Sequence, residues 1–260
     1  MPSMNHSACR ALLDAALAAY EDAGLRGLCA EGRWEAAVDA MRGFDLSAPS
    51  PKGPDLSITL SPVLAAIAGA SAAPPSGGSV AASAGALAAA LTQMVAGLTA
   101  GRPRYADVAA EMQQIAQRAA GLAAELLALV ARDATAVDGV ARAYRLPKAT
   151  EEAASVRATA IARAMHSATD APFEIARAAT AVAQLAARVA EQGNVNAAAD
   201  AAVAAILAES VCRGAALTVR VNVRALRDTH IGAQLEAESA AFTKAAAEAA
   251  ERAVAAAVIS

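Results

Sequence analysis

The chain has 260 residues and a formal net charge of −3; 57% of its residues are hydrophobic, but only 3% are aromatic. The apolar content is mostly alanine, a strong helix former and a poor core filler, which predicts closely packed helices. Strand-like alternation occurs only at residues 217–223, inside a longer helical pattern, and is interpreted as helix. Because no basic block is present, nucleic acid is not expected as a partner.

Cysteine, histidine and charge patterns restrict the class of protein further. Cys9, Cys29 and Cys212 are scattered and form no CxxC pair, which indicates reduced, buried thiols in a cytoplasmic protein. The histidines lack zinc-site spacing, so no metal is expected. Residues 79–100 carry no charge and are long enough to span a bilayer. Their larger residues follow one helical side and their small residues the other, so we predict a buried helix or subunit interface and no membrane association.

Helix and loop signals divide the chain into three predicted regions. Residues 1–46 contain two short amphipathic helices, at 8–23 and 31–42, and form a helical hairpin or extension; Gly stops follow the helices. The Pro-rich residues 47–56 are predicted to be a linker. Residues 57–260 are predicted to form an all-α domain, an antiparallel helical bundle with long central helices.

The helices of this bundle are predicted from their caps and breakers. In chain order they are expected at 62–70, at 79–100, from 105 to before Leu146, from 151, after Pro172, from Gly193-Asn194 towards 226, and in the last Ala/Glu-rich stretch. Thr150 is the predicted N-cap of the helix that starts at residue 151. Pro172 is expected to separate two helices, because proline lacks a backbone N–H.

Asp133 lies on the apolar side of the longest predicted helix. Its neighbours at spacings of three, four and seven residues are apolar: Leu126, Leu129, Val130, Val137 and Val140. A bare carboxylate is costly to bury, so Asp133 is either paired or functional. One interpretation is a general acid or base. The other is a core aspartate held by Arg, Ser or Thr. Asp138, by contrast, has polar helical neighbours and is predicted to be solvated.

The turn that contains Gly77, Gly78 and Ser79 precedes the uncharged helix. Free backbone N–H groups at a helix start bind anions, and glycine permits a close approach. The motif lacks the lysine of a phosphate-binding loop and no strand precedes it. An ordinary turn with an N-cap is therefore the alternative interpretation.

Four further polar residues have both a functional and a plain interpretation. Lys148 follows the Asp133 helix, where it complements the helix C terminus or meets an anionic substrate. Asn194 and Asp200 belong to a turn into a helix, for which Asn196 as the N-cap is the plain explanation. Asn222 lies among valines, and a buried amide there needs partners.

Taken in order, several segments resemble the cyclodeaminase/cyclohydrolase family. This family comprises the C-terminal half of formiminotransferase-cyclodeaminase and the stand-alone methenyltetrahydrofolate cyclohydrolases. The segments are SGGSVAA from residue 76, ALTQMVAGLT from 90, AYRLPKATEE from 143, ATDAP from 168, GNVN from 193 and GAALTVRVN from 214. Their order and spacing carry the resemblance more than any single piece. Ser76 and Ala199 depart from the residues usual in the family.

The resemblance implies an all-α homodimer that acts on a tetrahydrofolate derivative, with no cofactor beyond that substrate. It implies that Asp133 is the catalytic residue. The predicted substrate-binding residues are Gly77, Gly78, Ser79, Lys148, Asn194, Asp200 and Asn222. The implied reaction is hydrolysis of 5,10-methenyltetrahydrofolate to 10-formyltetrahydrofolate. The alternatives are a formimidoyltetrahydrofolate cyclodeaminase that releases ammonia, and a non-catalytic interaction protein of the same fold.

Overall fold

The computed structural model describes residues 6–44, 56–69, 75–226 and 229–259, and all regular elements in these ranges are helical. The α-helices are α1 (His6–Leu25), α2 (Ala30–Arg42), α3 (Leu56–Ala68), α4 (Gly77–Ala100), α5 (Ala109–Tyr144), α6 (Glu151–Gln192), α7 (Ala198–Val223) and α8 (Thr229–Ile259). Two short 3-10 helices, Pro103–Val108 and Val195–Ala197, precede α5 and α7. The predicted all-α class is confirmed.

The first of two compact units, Met1–Ser71, contains α1, α2 and α3. α1 packs on α2, and the rings of Tyr20 and Trp34 meet edge to face at a centroid distance of 6.4 Å. The predicted stop at Gly24 is wrong, because α1 continues past it. The turn falls instead at Gly27, whose φ of +84° lies in the region that favours glycine.

α3 starts earlier than predicted. Leu56, which we assigned to the linker, is its first residue, and Pro62, the predicted start, lies inside it. A proline inside a helix removes one backbone hydrogen bond and bends the chain, but it does not always end the helix. The remainder of the predicted linker, residues 47–55, lies outside the described residues.

The second unit, Ala72–Ser260, is a bundle of α4 to α8. α4 packs on α5, α6 and α7, and α8 packs on α6 and α7. The core combines many alanines with a few large side chains: Val95, Met112, Leu122, Leu126, Leu129, Ile175, Val182, Val189 and Val219. Small side chains at the contacts let helix axes approach closely. This unit differs from the predicted domain 57–260 by the absence of α3.

Pro172 does not separate two helices, which corrects the prediction. α6 runs without a break from Glu151 to Gln192 with Pro172 inside it. Pro172 has no N–H to donate to the carbonyl oxygen of Ala168, four residues earlier. That oxygen instead accepts a hydrogen bond from Asn222 Nδ2 at 2.8 Å. A side chain from α7 thus replaces the backbone donor that proline removes.

α4 turns most of its small residues inward, together with Val95, and four of its large residues outward. Ala82, Ala89 and Ala96 are fully buried. The outer α4 face consists of Val80, Leu87, Met94 and Leu98, which are 38%, 53%, 44% and 44% exposed. The prediction of a buried helix is therefore correct only for its small-residue side.

Two helices in the described part of the chain are long and apolar enough to cross a membrane by length and composition. They are α4 and the stretch Val195–Val223. In an apolar segment of 18 residues within each, 44% of the segment is buried inside the protein. Core helices of helical bundles satisfy the same criteria. The absence of membrane association therefore stays a prediction.

The thiols differ in their surroundings. Cys212 is buried, whereas Cys29 is exposed, so the prediction of buried thiols is wrong for Cys29. Burial raises the pKa of the Cys212 thiol, partly offset by hydrogen bonds with Thr180 and Thr243.

Candidate functional site

Asp133 lies on α5, is 5% exposed and lines a cleft of about 380 Å³. The cleft is formed by the start of α4, the second half of α5, the middle of α6 and the end of α7. Small-molecule sites commonly have a volume in this range. The remaining lining residues are Ser76, Gly77, Gly78, Ala136, Val137, Val140, Ala141, Met165, Ala168, Thr218 and Asn222.

Two serine hydroxyls hold one oxygen of the Asp133 carboxylate. Ser79 Oγ donates to Asp133 Oδ2 at 2.8 Å, and Ser76 Oγ donates to the same oxygen. Ser76 also caps α4, since its Oγ accepts from the backbone N–H of Ser79 at 3.2 Å. Asp133 Oδ1 accepts no hydrogen bond from any described residue. One carboxylate oxygen is thus fixed by two hydroxyls, and the other has no hydrogen-bond donor among the described residues.

Gly78 lets the first turn of α4 approach the carboxylate. A Cβ at residue 78 would lie 2.7 Å from Asp133 Cγ and closer still to Oδ1, so no larger residue fits without displacing Asp133. A Cβ at Gly77 would meet nothing within 4 Å. Gly77 and Gly78 therefore have different roles. Only Gly78 is required by the position of Asp133, whereas both contribute N–H groups at the start of α4.

Asn222 also lines the cleft. It lies near the end of α7, is half-buried and donates from Nδ2 to the carbonyl oxygen of Ala168. One helical turn earlier, Thr218 also lines the cleft, and its Oγ donates to the carbonyl oxygen of Gly214 at 3.1 Å. Asn222 was predicted to need a hydrogen-bond partner, and the carbonyl oxygen of Ala168 on α6 is that partner.

Asn194 and Asp200 do not lie in this cleft. The backbone N–H of Asn194 donates to Thr99 Oγ at 2.9 Å, next to the last turn of α4. The start of α4 is roughly 33 Å away, at 1.5 Å per residue over the 22 residues from Gly77 to Thr99. Asn194 is 2% exposed, and its side chain caps the 3-10 helix by accepting from the N–H of Asn196, so the prediction of Asn196 as the cap is wrong. Asp200 is exposed in the first turn of α7.

Lys148 is also outside the cleft. It is exposed in the connection between α5 and α6, seven residues after the cleft residue Ala141. Within one chain, therefore, the structure brings four of the predicted binding residues to Asp133 and leaves three elsewhere. The four are Gly77, Gly78, Ser79 and Asn222, and the three are Lys148, Asn194 and Asp200.

The role of Ser76 was missed in the sequence. Ser76 stands where the resembled family usually has a glycine, and its hydroxyl binds Asp133. The N-cap pattern of Ser76 three residues before Ser79 was the available signal. The apolar cleft residues Val137 and Val140 were placed on the correct helical face, but they line the cleft instead of filling the core.

A second groove, of about 650 Å³, lies between α7 and α8. Arg213 and Arg220 line it and are exposed, and Glu236 is half-buried. None of its titratable lining residues is buried, so the Asp133 cleft is the stronger candidate for acid–base chemistry. The described residues contain no group of three or more His, Cys, Asp and Glu side chains placed to hold a metal ion.

The described residues form helices around a cleft sized for a small molecule, and Asp133 is the one buried carboxylate among them. The chain belongs to the formiminotransferase-cyclodeaminase family, whose model matches residues 59–241. This confirms the family that the motifs resemble.

Named relatives include both activities of that family. A methenyltetrahydrofolate cyclohydrolase from Methylorubrum extorquens is 43% identical over 154 residues, which are 59% of this chain and 74% of the relative. A formimidoyltransferase-cyclodeaminase from Sus scrofa is 31% identical over 240 residues, 87% of this chain. The match spans only 44% of that longer relative.

The crystal structure of a formiminotetrahydrofolate cyclodeaminase from Thermotoga maritima has the same fold. It aligns with a TM-score of 0.67 and 25% identity, and covers 74% of this chain and 92% of that one. The all-α bundle is thus shared with a solved relative over nearly the whole length of that relative.

Proposed function

We propose that this chain hydrolyses 5,10-methenyltetrahydrofolate to 10-formyltetrahydrofolate. The observation that carries the proposal is the Asp133 carboxylate, buried at the cleft with Oδ2 held by two serine hydroxyls and Oδ1 free of hydrogen bonds to described residues. The 43% identity to a relative named as this cyclohydrolase supports the choice of reaction. The folate is the substrate, and no additional cofactor or metal is required by the chemistry.

The reaction needs one group that accepts a proton and later returns it. Water adds to the cationic methenyl carbon between N5 and N10, and its proton passes to Asp133. In the second step the bond from this carbon to N5 breaks, and N5 takes the proton from Asp133. The carbinol oxygen loses its own proton as the formyl C=O forms on N10. One proton is released overall, and the carboxylate is regenerated.

The start of α4 supports this chemistry through its backbone. The N–H groups of Gly77 and Gly78 are in the first turn, where a helix leaves them without helical partners. They line the cleft beside Asp133 and are suited to hold an oxygen or a carboxylate of the folate. Ser79 has a different role, because its hydroxyl is committed to Asp133.

The test of the catalytic assignment is Asp133→Asn, with Asp138→Asn as the matched control on the same helix. Asp138 is exposed and outside the cleft. The wild type should remove the near-ultraviolet absorbance of methenyltetrahydrofolate faster than buffer. Asp133→Asn should lower kcat by about 10²–10⁴-fold, the range for loss of a general acid or base. Asp138→Asn should keep the wild-type rate, and near-normal activity in Asp133→Asn would refute the assignment.

A cyclodeaminase is the second candidate, favoured by the Sus scrofa relative and the solved Thermotoga maritima structure. In that reaction N10 attacks the N5-formimino carbon, and ammonia leaves with a proton returned by the same carboxylate. Consumption of formiminotetrahydrofolate with ammonia release, and no loss of methenyltetrahydrofolate, would select it. Folate binding without turnover of either substrate would instead support a non-catalytic protein.

We also propose that the chain is a homodimer in the cytoplasm, joined through the outer α4 face. Four large apolar side chains there lack cover within one chain. No charged residue occurs between residues 56 and 101, so a second copy meets no unpaired charge. Antiparallel contact of two α4 helices about a two-fold axis would place the partner subunit's Asn194 and Asp200 near the cleft of the first.

This arrangement is tested by Leu87→Asp, with Leu127→Asp as the control. Leu87 is 53% exposed on α4, and Leu127 is 59% exposed on α5. Light scattering should show a dimer for the wild type and for Leu127→Asp, and a monomer for Leu87→Asp. A monomeric wild type, or its recovery in the membrane pellet, would contradict the proposal. Mixing inactive Asp133→Asn and Asp200→Asn chains should restore activity if the site is shared.

A further inference from the structure

Pro172, Ala168 and Asn222 form a connected unit at the wall of the cleft. Pro172 lies inside α6 and cannot donate to the carbonyl oxygen of Ala168. Asn222 Nδ2 donates to that oxygen at 2.8 Å. Ala168 and Asn222 both line the cleft that contains Asp133. The proline that interrupts the backbone bonding of α6 is therefore linked, through one carbonyl group, to a polar side chain at the site.

This hydrogen bond determines which way the Asn222 amide is turned. A carbonyl oxygen only accepts, so the NH₂ group of the amide, and not its oxygen, must face Ala168. Oδ1 then lies on the other branch of the amide. It accepts no hydrogen bond from a described residue, and Asn222 is half-buried. The amide of Asn222 is thus fixed with Oδ1 as an acceptor that no described residue uses, whereas a freely rotating amide would exchange donor and acceptor.

We propose that Pro172 is a positioning residue that orients Asn222, and that Asn222 Oδ1 recognises an N–H donor edge of the substrate. Under the proposed function, on which this inference rests, that edge is the ring N–H and amino group of the reduced pterin. Asn222 accordingly selects ligands that donate at this edge. It acts in binding, while Asp133 in the same cleft transfers the proton.

Pro172 and Asn222 act as a pair because together they determine which group donates to the Ala168 carbonyl oxygen. With any residue other than proline at 172, the backbone N–H of α6 would bond to the Ala168 carbonyl. The Asn222 amide would then share this acceptor with a second donor, and its hydrogen bond would hold it less firmly. Without Asn222, the carbonyl would face the cleft with no protein donor, which is unfavourable for a partly buried group.

The experiment uses Pro172→Ala, Asn222→Ala and the double variant, with Thr150→Ala as a control for a change at the start of α6. Thr150 caps α6 and is outside the cleft. Pro172→Ala should raise KM for methenyltetrahydrofolate roughly three- to tenfold, the effect of one hydrogen bond, with kcat little changed. Asn222→Ala should raise KM at least as much. The double variant should equal Asn222→Ala, because Pro172 acts only through Asn222.

Two readouts separate this inference from the proposed function. The Asn222 side-chain amide, followed by ¹⁵N NMR, should have a hydrogen-bonded N–H in the wild type, and this bond should be weaker in Pro172→Ala. Binding of 5-formyltetrahydrofolate, measured by calorimetry, should weaken in both single variants. Activity with an unchanged KM in Pro172→Ala, or additive effects in the double variant, would overturn the inference and leave the cyclohydrolase proposal intact. If the wild type turns over neither folate, the proposed function fails, and unchanged 5-formyltetrahydrofolate affinity in both variants would then overturn the inference as well.

Discussion

At the scale of single residues, the closest constraint on the site is the contact between Gly78 and Asp133. A Cβ at residue 78 would lie 2.7 Å from Asp133 Cγ, so Gly78→Ala must push the carboxylate or the first turn of α4 aside. We expect kcat/KM to fall by about 10²-fold, since small displacements of reacting groups have effects of that size. We also expect the free energy of unfolding to fall by about 1–3 kcal/mol, as for an overpacked site.

Gly77→Ala is the matched comparison, because a Cβ there meets nothing within 4 Å. Its loss of kcat/KM should be clearly smaller than that of Gly78→Ala in the same absorbance assay. Its denaturation midpoint in urea should not fall. Equal losses for the two variants would mean that the backbone N–H groups of the turn, and not the approach of Gly78 to Asp133, dominate the effect.

The sequence placed Asp133 correctly on the apolar face but could not decide between its two interpretations. The structure contains elements of both. Ser76 and Ser79 hold the carboxylate, as a structural aspartate requires, and the same carboxylate lines a cleft. The contact spans 54 residues to Ser79 and 57 to Ser76, and helical periodicity reports only on neighbours within one helix.

At the scale of secondary-structure elements, the buried and exposed sides of α4 should respond differently to the same substitution of glycine by alanine. Gly85 faces the core, where a Cβ would lie 3.2 Å from Leu126 Cδ1 and 3.4 Å from Val211 Cγ1. Gly97 is exposed, and a Cβ there meets nothing within 4 Å. Gly97→Ala should stabilise the protein by about 1 kcal/mol through helix propensity. Gly85→Ala should gain less, because its neighbours must move by a few tenths of an ångström.

Thermal and urea unfolding of the two variants measure this difference. Both substitutions gain the same helix propensity. The difference between their changes in the free energy of unfolding therefore reports the packing of α4 against α5 and α7. An equal gain at both positions would show that the core relaxes without cost around residue 85. A loss at Gly97 would indicate that the exposed side of α4 is covered closely by a second copy.

Helix ends were predicted well where a cap is local and poorly where a distant partner intervenes. Thr150 is the predicted N-cap of α6, and its Oγ accepts from the N–H of Ala153 at 3.1 Å. Pro172 was predicted to end a helix because a lone proline removes a hydrogen bond. Asn222, 54 residues away from the carbonyl it serves, supplies the replacement. No local pattern contains that information.

At the scale of the whole molecule, the all-α class and the family followed from composition and from the order of motifs. The grouping of site residues did not. Asn194 and Asp200 were expected at the folate cleft, but in one chain they lie near the other end of α4. The order of motifs along a chain indicates a family, whereas it does not report which of the motif residues meet at one site.

The two compact units lead to a last prediction about the minimal active chain. All residues that line the Asp133 cleft belong to the second unit, Ala72–Ser260. A chain of residues 72–260 should therefore unfold in one cooperative transition and keep the cleft. Its kcat and KM for methenyltetrahydrofolate should be within about twofold of the full chain, since no reacting group is removed. The family match begins at residue 59 and includes most of α3, so a chain of residues 57–260 is the control. Activity in 57–260 and its loss in 72–260 would assign α3 to the catalytic domain, whereas activity in both would leave the first unit outside the reaction.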